Sequence, residues 1–227
     1  MKYAAVVKHA REVTLMGTAD ADHWAAPLER VGLTPCRRDD RVGMLISVAA
    51  GKWGIHFREV AIGVAACRQP GCNAPDGYYA AYAFHSSRLF AWCERTFFKA
   101  SHRLATIDLT LDPPASIEIR SETDIALRAA MGTARERSRQ ETVDIVFPVF
   151  LPNRGDRMAS NRNVFHVRIA GETDAYPYES ESDFFTVGED NGALAMPLLA
   201  ECDFQGTEWL VRRDAIHART KTKSEAC

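Results

Sequence analysis

The sequence has no excess of either charge. Its 227 residues carry 28 Lys and Arg against 30 Asp and Glu, a net charge of −2. Proteins that bind nucleic acid usually show a clear basic excess, so no nucleic-acid partner is expected. No apolar run approaches the ~18–20 residues that a membrane-crossing helix needs, so no membrane partner is expected. The apolar run before Lys8 and His9 is too short for a secretory leader, which makes the expected location cytoplasmic. Gly-x-Gly-x-x-Gly, the P-loop, Gly-x-Ser-x-Gly and His-Glu-x-x-His are all missing. Nucleotide, serine-hydrolase and zinc-protease chemistry therefore lose their usual basis. The cysteines (Cys36, Cys67, Cys72, Cys93, Cys202 and Cys227) include no Cys-x-x-Cys pair. Reduced thiols are the expectation, and the spacing of Cys67 and Cys72 speaks against a zinc site. No metal and no external cofactor are expected.

What is present is β pattern. Val42 to Ala49, Trp53 to Cys67, Tyr78 to Phe84, Leu104 to Leu111 and Ser116 to Arg120 read as strands bounded by Gly, Pro, Ser or Asp. Ile125 to Ala130, Val143 to Phe150, Val164 to Ala170 and Glu208 to Val211 continue the series. Two segments read as helix. Trp24, Leu28 and Val31 share one face, with Pro27 in the first turn and Gly32 as the stop. Leu89, Phe90, Cys93 and Phe97 form a second stripe, with Ser86 or Ser87 as N-cap. Asn153 to Asp156 and Asn161 to Asn163 read as a surface loop, as does Gln69 to Gly77. The expected architecture is one mostly-β (α+β) domain over residues 1–217, a barrel or two packed sheets with a few helices, followed by a polar, frayed tail over 218–227.

Two stretches carry chemistry. In a regular strand Ile55, Phe57, Glu59 and Ala61 share one face, so Glu59 stands in an apolar row. A carboxylate there is costly unless it is paired or functional. Burial would raise its pKa into a range useful for acid–base work; pairing with an arginine, or a bulge turning it to solvent, is the plainer alternative. Further on, Arg95, Lys99, His102 and Arg103 crowd a helix-to-strand junction. That is either a solvated basic patch or a site for a small anionic organic substrate, since a guanidinium fork fits a carboxylate. His102 could equally hold the turn. Among weaker candidates, His23 and His85 suit core or turn positions, and His166 and Arg168 a solvent face. The run Glu179 to Asp183 reads as a solvated loop rather than a cation site.

The order of these pieces resembles the acetoacetate decarboxylase-like superfamily. Phe57-Arg58-Glu59 stands in the place of its aromatic-x-Glu strand, and Gly77-Tyr78-Tyr79 in that of its Gly-Tyr strand. Glu94-Arg95-Thr96 stands where its Gly-Arg-Glu helix motif falls, with Thr96 replacing the acidic residue. Lys99 to Ile107 overlies its Gly-x-Pro-Lys-Lys-Leu-Ala-x-Ile segment. The resemblance covers residues 42–111 and implies an antiparallel β cone or barrel around a cavity, flanked by helices, in a homo-oligomer. In that family the first lysine of the pair forms a Schiff base with a ketone substrate, and the second lowers its pKa. Here those places hold His102 and Arg103, and an imidazole cannot form the iminium.

The expectation is therefore a lyase-type enzyme acting on a small oxo- or hydroxy-carboxylate. Glu59 and His102 exchange protons in enolisation, dehydration, cyclisation or retro-aldol chemistry, and Arg95 orients the anion. Arg103, Lys99 and Phe57 line the binding site. A non-catalytic binding protein of the same fold is the first alternative, and a Schiff-base decarboxylase using Lys99 the second.

Overall fold

The computed structural model describes residues 1–121, 124–152, 160–188 and 194–227. The chain starts with β1 (Tyr3–Asp20), α1 (Ala21–Glu29), β2 (Thr34–Pro35), β3 (Arg37–Arg38), β4 (Arg41–Trp53) and β5 (Ile55–Cys67). There follow β6 (Gly77–His85), α2 (Arg88–Phe97), β7 (His102–Leu104), β8 (Thr106–Thr110), β9 (Ser116–Arg120) and β10 (Ile125–Ala130). The chain continues with β11 (Arg139–Leu151), β12 (Asn161–Pro177), β13 (Phe184–Val187), α3 (Pro197–Ala200), β14 (Gln205–Thr220) and β15 (Lys223–Ala226).

Strands β5, β4, β1, β14, β12, β11 and β6 pair in that order, and β6 returns to β5. The wall is thus closed and presents no free edge along its circuit. Its pairs are antiparallel except β11 with β6, which run parallel. A separate sheet, in the order β13–β10–β9–β8, lies against it.

Strand alternation gives the wall two different faces. Val13, Val48 and Val60 fall in one register row, and Leu15, Ile46 and Ile62 in another. These six are fully buried and share one core with Ile107, Ile117, Ile119 and Leu127 of the second sheet. Each such side chain contributes about 1.5–3 kcal/mol by leaving water. The opposite face carries small residues: Ser47 and Ala49 on β4, Ala61 and Gly63 on β5, Ala81 and Ala83 on β6. They cannot fill the barrel, and a cavity of about 470 Å³ remains.

The mostly-β expectation holds, and the structure corrects several details. Strand β1 is absent from the sequence reading because its alternation is broken: His9 has φ 57°, and the register with β14 shifts on either side of Ala10. Residues 218–227 are not a frayed tail. β14 runs to Thr220, and β15 pairs with β12. Asn161 to Asn163 begin β12 rather than a loop, with Arg162 buried against Glu225. Asn153 to Asp156 lie outside the described residues.

Helix α1 starts earlier than expected, because Asp20 caps it by accepting from the Asp22 N–H; Pro27 falls near its end, and Val31 beyond it. Ser87 caps α2 as expected. The α2 stripe packs inward only in part: Phe90 lies against Phe57 and His85, whereas Leu89 and Phe97 are more than half exposed. The acidic run is a solvated turn over Glu179 to Glu181, as expected, but its last residue is not. Asp183 is buried and accepts hydrogen bonds from Gly132, Glu179, Trp209 and Arg135.

Candidate active site

Alternation in β5 sends Phe57, Glu59 and Ala61 to the cavity, and Val60 and Ile62 to the core. Arg58 points outward and pairs with Asp108 of the second sheet. The apolar row with a lone carboxylate is thus the cavity wall. The partner of Glu59 arrives by a different route. Helix α2 is closed by Lys99 in the left-handed region, at φ 57°, and Ala100 N–H bonds back to Glu94 O. The chain then turns and lays β7 parallel to β6, with His102 beside Ala83.

His102 Nε2 stands 2.9 Å from Glu59 Oε1. The imidazole is 4% exposed, whereas Glu59 keeps 35% of its side-chain surface toward the cavity it lines. Behind the imidazole, Glu94 Oε2 is 3.9 Å from His102 Nδ1 and accepts a hydrogen bond from Arg219 Nη1. The Arg219 guanidinium is clamped between Phe98 and Phe165, 4.2 and 4.3 Å from their ring centroids. Its Nε and Nη2 are buried with no hydrogen-bond partner.

The electrostatics reverse one expectation. Burial does push the Glu59 carboxyl upward, but the hydrogen bond and charge of His102, helped by Arg219 and His85, outweigh it and hold the group at about 2. Burial raises Glu94, with Arg219 opposing. His85 is pushed down to about 4, chiefly by burial. Its Nδ1 accepts the Ser87 N–H, and its ring stacks on Phe57. It serves the turn into α2.

A second polar group lines the same cavity. Glu12 accepts from Arg212 Nη1 at 2.6 Å and from the Thr14 hydroxyl at 2.6 Å, and His217 Nε2 lies 2.7 Å from its other oxygen. Burial again works upward, but His217 and Arg212 hold Glu12 at about 2. The register places Glu12 and Glu59 on either side of Ala49. Two strand spacings separate them, about 10 Å.

Of the residues singled out in the sequence, the structure brings Glu59, His102 and Phe57 together. Arg95, Lys99 and Arg103 do not line the cavity. Arg95 and Lys99 are exposed on and after α2. Arg103 takes the face opposite His102, bonds Ala195 O and stacks on Tyr82 and Phe84. No lysine is among the described residues of the lining. The missed residues are Arg219, Glu94, Glu12, Arg212 and His217. Glu94 sits on helix α2 behind His102, only eight residues before it; the strands of the other four meet at the cavity only through long-range pairing, for which short-range pattern offers no signal.

No family model matches the chain, and no curated protein matches it. Solved structures do. An acetoacetate decarboxylase from Legionella pneumophila superposes with a TM-score of 0.65 at 13% identity, over 99% of this chain and 88% of that one. The enduracididine biosynthesis enzyme MppR, complexed with the condensation product of pyruvate and imidazole 4-carboxaldehyde, gives 0.63 at 10% identity over 100% and 91%. An acetoacetate decarboxylase-like enzyme from Sphingomonas wittichii RW1 gives 0.62 at 12% identity over 100% and 94%. With nearly full coverage of both partners in each case, the chain has the acetoacetate decarboxylase fold.

Proposed function

We propose that this protein is an enzyme that moves a proton at the carbon beside the carbonyl of a small oxo-carboxylate, without a covalent amine. The observation that carries this reading is the 2.9 Å contact of His102 and Glu59 on the wall of the barrel cavity. Glu59, held at about 2, is an ionised acceptor at neutral pH. Glu59 takes the proton from the substrate carbon on Oε2 and returns it in a later step, while its Oε1 accepts the hydrogen bond from His102 Nε2–H. In that sequence Glu59 touches the substrate and holds the proton, and His102 positions the carboxylate. The two unbonded donors of Arg219 suit a substrate carboxylate that displaces the aromatic ring packed over them, which gives Arg219 the role expected of Arg95 from the sequence.

The size and lining of the cavity support a substrate with an apolar body. About 470 Å³ exceeds what a three-carbon acid fills, and Leu45, Phe147, Val149, Phe165 and Val167 surround the remainder. Enolisation is the shared first step of dehydration, cyclisation and retro-aldol reactions, so lyase chemistry follows from the same pair. MppR, of the same fold, has been seen with pyruvate bound, which favours 2-oxo acids as the first compounds to try. Lys99, exposed and outside the lining, offers no support for Schiff-base decarboxylation.

The test is exchange of the protons beside the carbonyl in D₂O, followed by NMR, for pyruvate and for 2-oxo acids with longer apolar chains. Catalysed exchange that disappears in Glu59→Gln supports the proposal. Binding without exchange across the series favours the non-catalytic reading, which the ready-paired Glu94 and Arg219 also fit.

A further inference from the structure

Three cysteines that are scattered in sequence converge at the end of β5 away from Glu59. The sulfurs of Cys36, Cys67 and Cys72 lie within 4.8 Å of one another. Cys67 ends β5, eight residues beyond Glu59 and so about 26 Å along the strand. None of the three lines the cavity. Cys36 and Cys67 are buried, and Cys72 is partly exposed.

Backbone bonds fix all three segments. Cys36 N–H donates to Ala65 O at 3.0 Å, which holds the residue after β2 against β5. The loop bearing Cys72 is tied at both ends: Asp76 N–H donates to Ala66 O at 2.9 Å, and Arg68 N–H to Asp76 Oδ2 at 2.7 Å. The sulfurs are thus brought together by main-chain geometry rather than by side-chain choice. Cys67 and Cys72 are joined as a disulfide in the structure, which corrects the expectation of six free thiols. The third sulfur beside that pair has no role in the disulfide.

We propose that, once reduced, Cys36, Cys67 and Cys72 form a binding site for one thiophilic cation of the Zn²⁺ class. Zinc holds thiolate sulfurs at about 2.3 Å in a tetrahedron, which sets them roughly 3.8 Å apart, within the spread seen here. Three protein thiolates and one water complete the coordination. Burial raises the Cys36 thiol, with Arg38 acting against it, so without a cation this sulfur keeps its proton. Binding releases the three thiol protons to solvent, and no electrons move. Ligation and disulfide formation need the same two sulfurs, so oxidation excludes the cation. The cation ties β2, β5 and the Cys72 loop together, and its effect is on stability rather than on the distant Glu59 and His102.

The experiment uses the full chain, reduced with a phosphine, which becomes the phosphine oxide as the disulfide gains two electrons and two protons. Zn²⁺ is titrated against a chromophoric chelator, and Co²⁺ is used as a spectroscopic probe. One equivalent of Zn²⁺, a thiolate-to-cobalt charge-transfer band and a rise in Tm of several degrees are expected. Cys36→Ser and Cys72→Ser each weaken binding at least a hundredfold, Cys93→Ser leaves it unchanged, and the oxidised protein binds none. Failure of the reduced protein to retain Zn²⁺ overturns the site, as does full-strength binding by Cys36→Ser. Should a serine variant not fold, the cobalt spectrum of the unaltered chain decides: no thiolate band means no site.

Discussion

Arg219 gives one guanidinium nitrogen to Glu94 and keeps two without any partner, while Phe98 and Phe165 fix the plane of the group. Buried donors left unbonded are expensive, on the order of 1–3 kcal/mol each, unless a ligand meets them. A carboxylate meets two at once. Arg219→Lys keeps the charge but loses the fork and the stacking. It should weaken binding of a 2-oxo acid by one to two orders of magnitude, as measured by calorimetry. Equal affinity in the lysine variant would place the anion elsewhere.

Removing His102 tests the pair from the other side. The hydrogen bond and charge of His102 are what hold Glu59 at about 2 against the upward push of burial. In His102→Ala that opposition is gone, so the Glu59 carboxyl should titrate well above 2, visible by NMR of a ¹³C-labelled glutamate. Exchange activity should be lost in this variant and in Glu59→Gln. Glu59→Gln preserves side-chain size and should stay folded. A His102→Ala protein in which Glu59 still titrates near 2 would mean that Arg219 and His85 set its charge.

Acid lability should come largely from Glu12 and Glu59, the two glutamates held at about 2, and Glu12 can be tested apart from the site. Its folded pKa of about 2 lies below its ordinary 4.5, so its stabilising contribution is complete above 4.5 and is lost as the pH falls through 2. Glu12 is fully buried, and the shift corresponds to roughly 3 kcal/mol. Unfolding by urea, followed from pH 6 to pH 2, should show this loss. Glu12→Gln should flatten that profile and cost about 3–5 kcal/mol at neutral pH, because Arg212 is left buried without its anion. An unchanged profile in the variant would assign the lability to other carboxylates.

The sequence made the wall legible but not the way it closes. Period-two alternation placed Phe57, Glu59 and Ala61 on one face because β5 is regular over those residues. The basic junction was located correctly, yet alternation alone could not say which of His102 and Arg103 faces inward. Pairing with β6 decides that. Arg219 and His217 sit on β14, whose neighbours β1 and β12 lie far away in sequence. His217 reaches Glu12 through the direct pairing of β1 with β14, and the approach of Arg219 to Glu94 on α2 depends on closure of the ring. Cys36 joins Cys67 and Cys72 through the two-residue strand β2, too short to be read as a strand.

The cavity itself can be tested without knowing the substrate. Ala61 faces the interior between Ser47 on β4 and Ala83 on β6, both small. A larger side chain in a filled core forces neighbours off their rotamers at a cost of about 1–3 kcal/mol. Here the added carbons enter open space and bury apolar surface against a wall that already contains Leu45, Phe147 and Val149. Ala61→Leu should therefore leave Tm unchanged or raise it by a few degrees, while weakening or abolishing binding of long-chain 2-oxo acids more than of pyruvate. The size dependence is the informative part, since a general folding defect would affect all ligands alike. A fall in Tm of several degrees would show that the space seen in the barrel is already filled in solution.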